Sequence, residues 1–222
     1  MLIAQPHPLL DLHAFVATWP TRMADLTSPS WLLDGLHLEA QAPFQRDEAV
    51  RVAIRNLLRT KRFKPTGRNK PASEYLVKAA ASGALGPINP AVDACNVVSL
   101  HSGLPISVVD LDRLTPPLEI RLGLEGEEYV FNAAGQVLRL TGLLCLADAQ
   151  GCCASPIKDS QRTKVGDETR RTLSLVWGTT EQEGLAGRVT AWYRRVHEDL
   201  GCRVEPVEIS AVGSDAAPEP AP

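Results

Sequence analysis

The sequence changes period at Pro105. Before it, apolar residues recur mostly at helical spacing. After it they fall into short runs at 106–109, 118–124, 128–131, 137–140 and 143–147, with Gly126, Gly135 and Gly142 between them. Runs of that length, punctuated by turn residues, are the mark of strands. A further strand is expected at 173–177, a helix at 185–200 and a last strand at 203–209. Strands grouped in the middle and helices on either side define an α+β chain with a central mixed or antiparallel sheet flanked by helices.

The first half is expected to supply most of the helices. Leu9, Leu10, Leu12, Phe15, Val16 and Trp19 give mostly helical spacing over 8–24, closed by Pro20. A short helix or turn follows near 31–36. Asp47 and Glu48 open a helix over 47–60, where acids suit the positive end of the dipole. Its stripe of Val50, Ile54, Leu57 and Leu58 is expected to lie on the sheet, with Arg51, Arg55 and Arg59 on the opposite, exposed face. Pro65, Gly67 and Pro71 make 61–71 a loop. Helices at 72–82 and 91–102 end at Gly83 and Gly103. Residues 1–212 are expected to form one domain, and the Ala-, Pro- and acid-rich segment 213–222 a disordered tail.

Hydrophobic residues make up 44% of the 222 and charged residues 22%, which excludes collagen, coiled-coil and wholly disordered chains. The longest apolar run, 143–147, is far shorter than the roughly 20 residues of a membrane span. The first residues lack the basic start and apolar core of a signal peptide, so a cytoplasmic location without membrane partners is expected. The five cysteines, Cys95, Cys145, Cys152, Cys153 and Cys202, are odd in number and irregularly spaced. They suggest buried thiols rather than a disulfide framework or a zinc site. Neither a phosphate loop, nor a nucleophile elbow, nor a paired-histidine metal motif is present, and no metal or cofactor is expected.

Net charge is −3, but it is unevenly placed. Arg51, Arg55, Arg59, Lys61, Arg62, Lys64, Arg68 and Lys70 lie within twenty residues that contain no acid, which leaves the rest of the chain at −11. Such a patch suits a polyanion, although a solvated helix face has the same composition.

Two segments carry more polar chemistry than a fold requires. In 89–101, Asp93 and Asn96 share one side of a helix, where neither residue type is favoured. Their side chains must face a polar partner or a ligand. In 155–166, Lys158, Asp159, Ser160, Thr163 and Lys164 crowd a loop between strands, a common place for function.

The run Asn89-Pro90-Ala91-Val92-Asp93-Ala94-Cys95-Asn96, followed by Gly103-Leu104-Pro105 and by Asp110-Leu111-Asp112-Arg113-Leu114, resembles the editing domain of the phenylalanyl-tRNA synthetase beta subunit. Ile120-Arg121, Gly126-Glu127 and Leu146-Ala147-Asp148 continue the pattern, which covers about 68–150. Gly67-Arg68-Asn69-Lys70-Pro71 and Lys158-Asp159-Ser160 with Thr163-Lys164 are more similar to free-standing relatives of that domain. The resemblance implies an α+β fold with an amino-acid pocket, and hydrolysis of an amino acid wrongly attached to tRNA. In a chain of 222 residues without the aminoacylation core, it implies action in trans.

Asn96 falls on the family's pocket asparagine, and Ser107 on the position of the synthetase's histidine. The glutamate that senses a tyrosine hydroxyl has no counterpart after Asp148, so the amino acid is left open. An aminoacyl ester is already activated, and the site must hold it, place a water and stabilise an oxyanion. Asn96, Lys158, Asp159 and Ser160 are the catalytic candidates. Asp93 and Thr163 are the substrate-binding ones, Asp93 as partner of the ammonium group. Lys164 and the eight basic residues of 51–70 are expected on tRNA phosphates. Asp93, Asn96 and the 158–160 loop are expected to share one cleft. Two other readings stay open: a non-catalytic tRNA- or amino-acid-binding module, and a hydrolase with Cys152 or Cys153 as nucleophile.

Overall fold

The computed structural model describes residues 2–211. The tail expected at 213–222 lies outside the described residues. Eleven strands and five α-helices are described, in the order β1 (Leu2–Ala4), β2 (Leu10–Thr18), α1 (Ser30–Asp34), α2 (Glu48–Leu58), α3 (Ala72–Ala81), α4 (Pro90–Ser102), β3 (Ile106–Asp110), β4 (Leu118–Leu122), β5 (Glu128–Val130), β6 (Val137–Arg139), β7 (Leu144–Asp148), β8 (Gly151–Ala154), β9 (Arg171–Thr179), α5 (Leu185–Asp199), β10 (Arg203–Pro206) and β11 (Ile209–Ala211). The α+β class is as expected.

The strands divide into a five-stranded sheet ordered β11-β1-β4-β7-β8, a four-stranded sheet ordered β10-β2-β9-β3, and the hairpin β5-β6. The first is mixed: β1 runs parallel to β11 and β4, and β7 antiparallel to β4 and β8. The second is antiparallel throughout. The expected strand at 203–209 is two short strands, one in each sheet, so the end of the described chain ties the sheets together.

The expected helix at 8–24 is β2, paired with β9 over nine residues from Leu10↔Thr179 to Thr18↔Arg171. A central strand is covered on both faces, so its apolar residues need not alternate. Here Phe15, Ala17 and Trp19 are buried on one face and Ala14 on the other, beside half-buried Leu10, Leu12 and Val16. That doubled pattern mimics helical spacing, and ladder pairing overrides it. The strand β8 was not anticipated; Gly151, at φ 113°, makes the turn into it.

The helices begin and end where their caps place them. Asp47 Oδ1 accepts from Ala49 N at 2.7 Å to open α2. Asn89 Oδ1 accepts from Val92 N at 3.0 Å, Pro90 takes the first turn of α4, and Gly103 closes it at φ 77°. Of the thirteen residues of α4, only Val92 and Asn96 are not buried. This helix packs against α1, α3, α5 and β3. One continuous apolar cluster runs from Leu2 to Cys202 and takes in both large sheets. No helix among the described residues is long and apolar enough to cross a membrane.

Candidate functional site

Strand β8 is an edge of the five-stranded sheet and β3 an edge of the four-stranded one. The segment 155–164 spans from one to the other and bridges back to β3 through Val109↔Lys164. It is tightly held. Cys153 O accepts from Ser160 N at 2.9 Å and from Thr163 Oγ1 at 3.0 Å. Ser160 Oγ accepts from Arg162 N at 3.3 Å. The Arg162 guanidinium grips both oxygens of Asp148 at 2.8 Å. Ser160 and Thr163 are therefore buried, with their hydroxyls committed to backbone.

The carboxyl of Asp159 turns inward. Its Oδ1 accepts from Ser107 Oγ at 2.7 Å and from Ser155 N at 3.2 Å. Ser107 Oγ in turn accepts from Trp177 Nε1 at 3.0 Å and lies 3.3 Å from Ser155 O. Burial pushes the Asp159 carboxyl up to about 7, although the Ser107 hydroxyl, backbone N–H groups and the Lys164 charge all pull it down. A carboxyl poised near neutrality can exchange a proton at working pH. Ser107 itself is fully buried.

Lys158 turns the other way, toward the surface. Its Nζ lies 3.9 Å from the centre of the Phe131 ring and 5.3 Å from that of Tyr75. It makes no ion pair among the described residues. Burial, then the nearby charges of Arg68 and Lys164, lower its pKa. The Lys164 ammonium donates to Phe131 O at 2.6 Å, and Tyr75 Oη donates to Arg68 O at 2.7 Å. The Tyr129 hydroxyl lies 2.5 Å from Lys158 O and 2.9 Å from Ser155 Oγ, which sets the loop's height. Lys158 thus sits over an aromatic floor with the charges of Arg68 and Lys164 near it, an arrangement that attracts an anion.

The α4 residues divide. Asp93 is fully buried and closes a turn: Oδ1 accepts from Ile88 N at 2.8 Å and Oδ2 from Ser28 Oγ at 2.5 Å. It borders a small cavity of about 310 Å³ with Leu26, Leu33 and Pro87. Asn96 is half-buried, and its side chain makes no hydrogen bond among the described residues. No hydrogen bond joins either residue to 158–160. Cys95, on the same helix, has its Sγ 3.6 Å from Ile106 O of β3, and its thiol is pushed up by burial and by the Asp159 charge. Helix α3 is also tied to the loop, through Ala72 N to Pro156 O at 2.8 Å.

The basic window is less uniform than its sequence. Arg51 pairs with Glu48. Arg55 forms a two-pronged pair with Glu74 of α3 at 2.5 and 2.6 Å, with both side chains half-buried. Arg62 pairs with Glu125 at 3.1 Å. The expectation of a fully exposed arginine face therefore holds only for Arg59, just past the end of α2. Arg59, Lys61, Lys64, Arg68 and Lys70 make no ion pair among the described residues.

The cysteine-nucleophile reading fails. Cys152 and Cys153 are buried, and burial raises the Cys153 thiol far above its ordinary value. No cluster of metal-ligating side chains occurs among the described residues.

Sequence reasoning did not find Tyr75, Tyr129, Phe131, Trp177 or Arg139. One signal was available: the chain has only three tyrosines, and two of them meet Lys158, at its ammonium or its carbonyl.

Residues 60–181 match the B3/4 domain family, more than half of the chain, and the protein belongs to that family. It is similar to the phenylalanine–tRNA ligase beta subunit of Bartonella henselae, at 31% identity over 50% of this chain and 14% of the relative. With the same subunit of Haemophilus influenzae it shares 26% identity over 78% of this chain and 22% of the relative. The chain thus spans about a fifth or less of these relatives. An N-terminal fragment of the phenylalanyl-tRNA synthetase beta subunit from Pyrococcus horikoshii has the same fold, with a TM-score of 0.53 at 10% identity, over 96% of this chain and 52% of that one.

Proposed function

We propose that this protein is an editing hydrolase that deacylates a mischarged tRNA in trans, in the cytoplasm, with residues 1–212 acting as one domain. The observation that carries the reading is the placement, on one loop of the B3/4 segment, of the Asp159 carboxyl held by Ser107 beside Lys158 over the Phe131 and Tyr75 rings. Kinship with phenylalanine–tRNA ligase beta subunits supports aminoacyl-tRNA as the substrate class.

Hydrolysis needs a water to attack the ester carbonyl while the terminal ribose oxygen leaves and takes a proton. Asp159 takes the proton of the attacking water and returns it to the leaving oxygen. Lys158 stabilises the oxyanion or the adjoining phosphate. Asn96, half-buried on α4, holds the amino acid. Ser160 and Thr163 shape the loop through their backbone contacts, and Asp93 sets the start of α4. Lys164 and the unpaired cations of 51–70 hold tRNA phosphates.

A second reading, a module that binds aminoacyl-tRNA without cleaving it, is favoured by one observation: Ser107 is fully buried and Asp159 leans on it rather than on the surface. Incubation of the purified protein with a panel of mischarged tRNAs separates the two. The hydrolase reading expects release of at least one amino acid above the spontaneous rate, and less release with Asn96→Ala or Lys158→Ala. Tight binding of every charged tRNA with no release would leave the module.

A further inference from the structure

The turn at 60–64 and the end of the β5-β6 hairpin face each other across a cavity of about 420 Å³, lined by Lys61, Arg62, Lys64, Asn69, Arg139 and Thr141. The two walls come from distant parts of the chain, yet they are locked together. Thr60 Oγ1 donates to Gly142 O at 3.0 Å and accepts from Phe63 N at 2.9 Å and Arg62 N at 3.3 Å. Gly142, at φ 74°, is pressed so close that a Cβ there would meet Thr60 Oγ1 at 2.8 Å and Arg62 Cβ at 2.9 Å. Phe63 is buried beneath and anchors the turn. The trough is therefore formed before any ligand arrives.

Its charge is one-sided. Among the described residues Lys61, Lys64 and Arg139 make no ion pair, although Glu128 stands across the ladder from Arg139. Arg62 alone is shared with an acid, through an exposed pair with Glu125. On one side the same loop continues through Arg68, which is near enough to Lys158 to lower its pKa. A rigid cationic trough leading to a cationic, aromatic-floored site has the form of a track for a polyanion chain.

We propose that this trough is a phosphodiester-binding site that grips RNA backbone adjoining the end presented to Lys158, and that Arg139 supplies its second wall. The inference rests on the RNA reading of the site but not on hydrolysis. Each cation that neutralises a phosphate steepens the salt dependence of binding, by roughly 0.7 to 0.9 in the log–log slope. Cations that merely raise net charge elsewhere do not.

The test uses the full chain and an uncharged tRNA transcript, so that no ester is present, with affinity measured across a salt series. Arg139→Gln is expected to flatten the slope by somewhat less than one, and Lys61→Gln/Lys64→Gln/Arg139→Gln by about 2 to 3. Arg188→Gln, on α5, controls for net charge and is expected to leave the slope unchanged. Arg139→Lys is expected to restore it. An unchanged slope in Arg139→Gln, or an equal loss in Arg188→Gln, would overturn the trough. So would displacement of tRNA by millimolar inorganic phosphate at constant ionic strength, which would mark a small-anion site. A protein that binds tRNA through the trough but releases no amino acid from charged tRNA would keep this inference and lose the hydrolase.

Discussion

The turn that starts α4 and the loop that joins the two sheets each carry a carboxylate inward, and they treat it differently. Asp93 receives a backbone N–H and a hydroxyl, one on each oxygen, from residues that it helps to arrange. Asp159 takes a hydroxyl and a backbone N–H on one oxygen, feels the Val108 N–H as well, and lies where burial still outweighs them, so its carboxyl is driven up to about 7. Asp93 is an anchor of local structure; a carboxyl whose burial outweighs its donors, as at Asp159, becomes a group that titrates near working pH. The two look alike in sequence, as acids in polar runs. They separate only when the placement of their donors is seen.

The largest expected effect tests that distinction through pH. Asp159 has a folded pKa above its unfolded one, so its contribution to stability is present below about pH 4 and is lost as pH rises through 7. The full swing is about 4 kcal/mol. His197 slopes the opposite way. Burial lowers it to about 4, so its contribution is present above pH 6.5 and is lost as pH falls toward 4, by about 3 kcal/mol. Denaturant melts of the parent between pH 4 and 7 should therefore show nearly flat stability. Asp159→Asn should expose a rise with pH over the same range. A parent profile that already rises as steeply as that of the variant would show that the Asp159 carboxyl is not raised on folding.

Next comes activity. Lys158→Ala is expected to lower kcat/KM for deacylation by about 100-fold, the scale of a lost electrostatic stabiliser. Its cost in stability should be near 1 kcal/mol from the lost ring contacts. Lys158→Arg should recover part of the rate. The kcat/KM of the parent should rise through about pH 7 as Asp159 ionises, and Asp159→Asn should lose that limb.

Asp93→Ala sharpens the other side. It strands Ser28 Oγ and Ile88 N, and should cost about 2 kcal/mol in denaturant melts while deacylation per folded molecule is retained. Full stability with lost activity would instead make Asp93 the partner of the substrate's ammonium group.

The smallest effect concerns the paired arginines. Glu74→Gln should cost about 1 kcal/mol by freeing Arg55, with no weakening of tRNA binding. A clear loss of affinity would show that α2 and α3 must be held together for the nucleic acid to dock.

Much of this was legible in the sequence because its causes are local. Asn89-Pro90 and Gly103 bound α4 by capping chemistry, and Asp47 opens α2, whatever the rest of the chain does. The glycines at 126, 135 and 142 separate the strands because only glycine takes their positive φ at no steric cost. The order of motifs over about 68–150 was enough to point to a relation with the phenylalanyl-tRNA synthetase beta subunit.

Other features needed the tertiary structure. The segment 10–18 is a strand because β9 and β10 supply ladders on both sides, and no window of its own residues contains them. Three of the eight cations at 51–70 are neutralised by Glu48, Glu74 and Glu125, all outside that window. Arg139 faces Lys61 only because Thr60 bonds to Gly142, 82 residues away. Ser107, Asp159 and Trp177 meet where two sheet edges meet. Propensity and capping act over a few residues, so the chain carries them in plain order. Ion pairing, desolvation and strand pairing depend on distance in space, and the folded chain alone sets those distances.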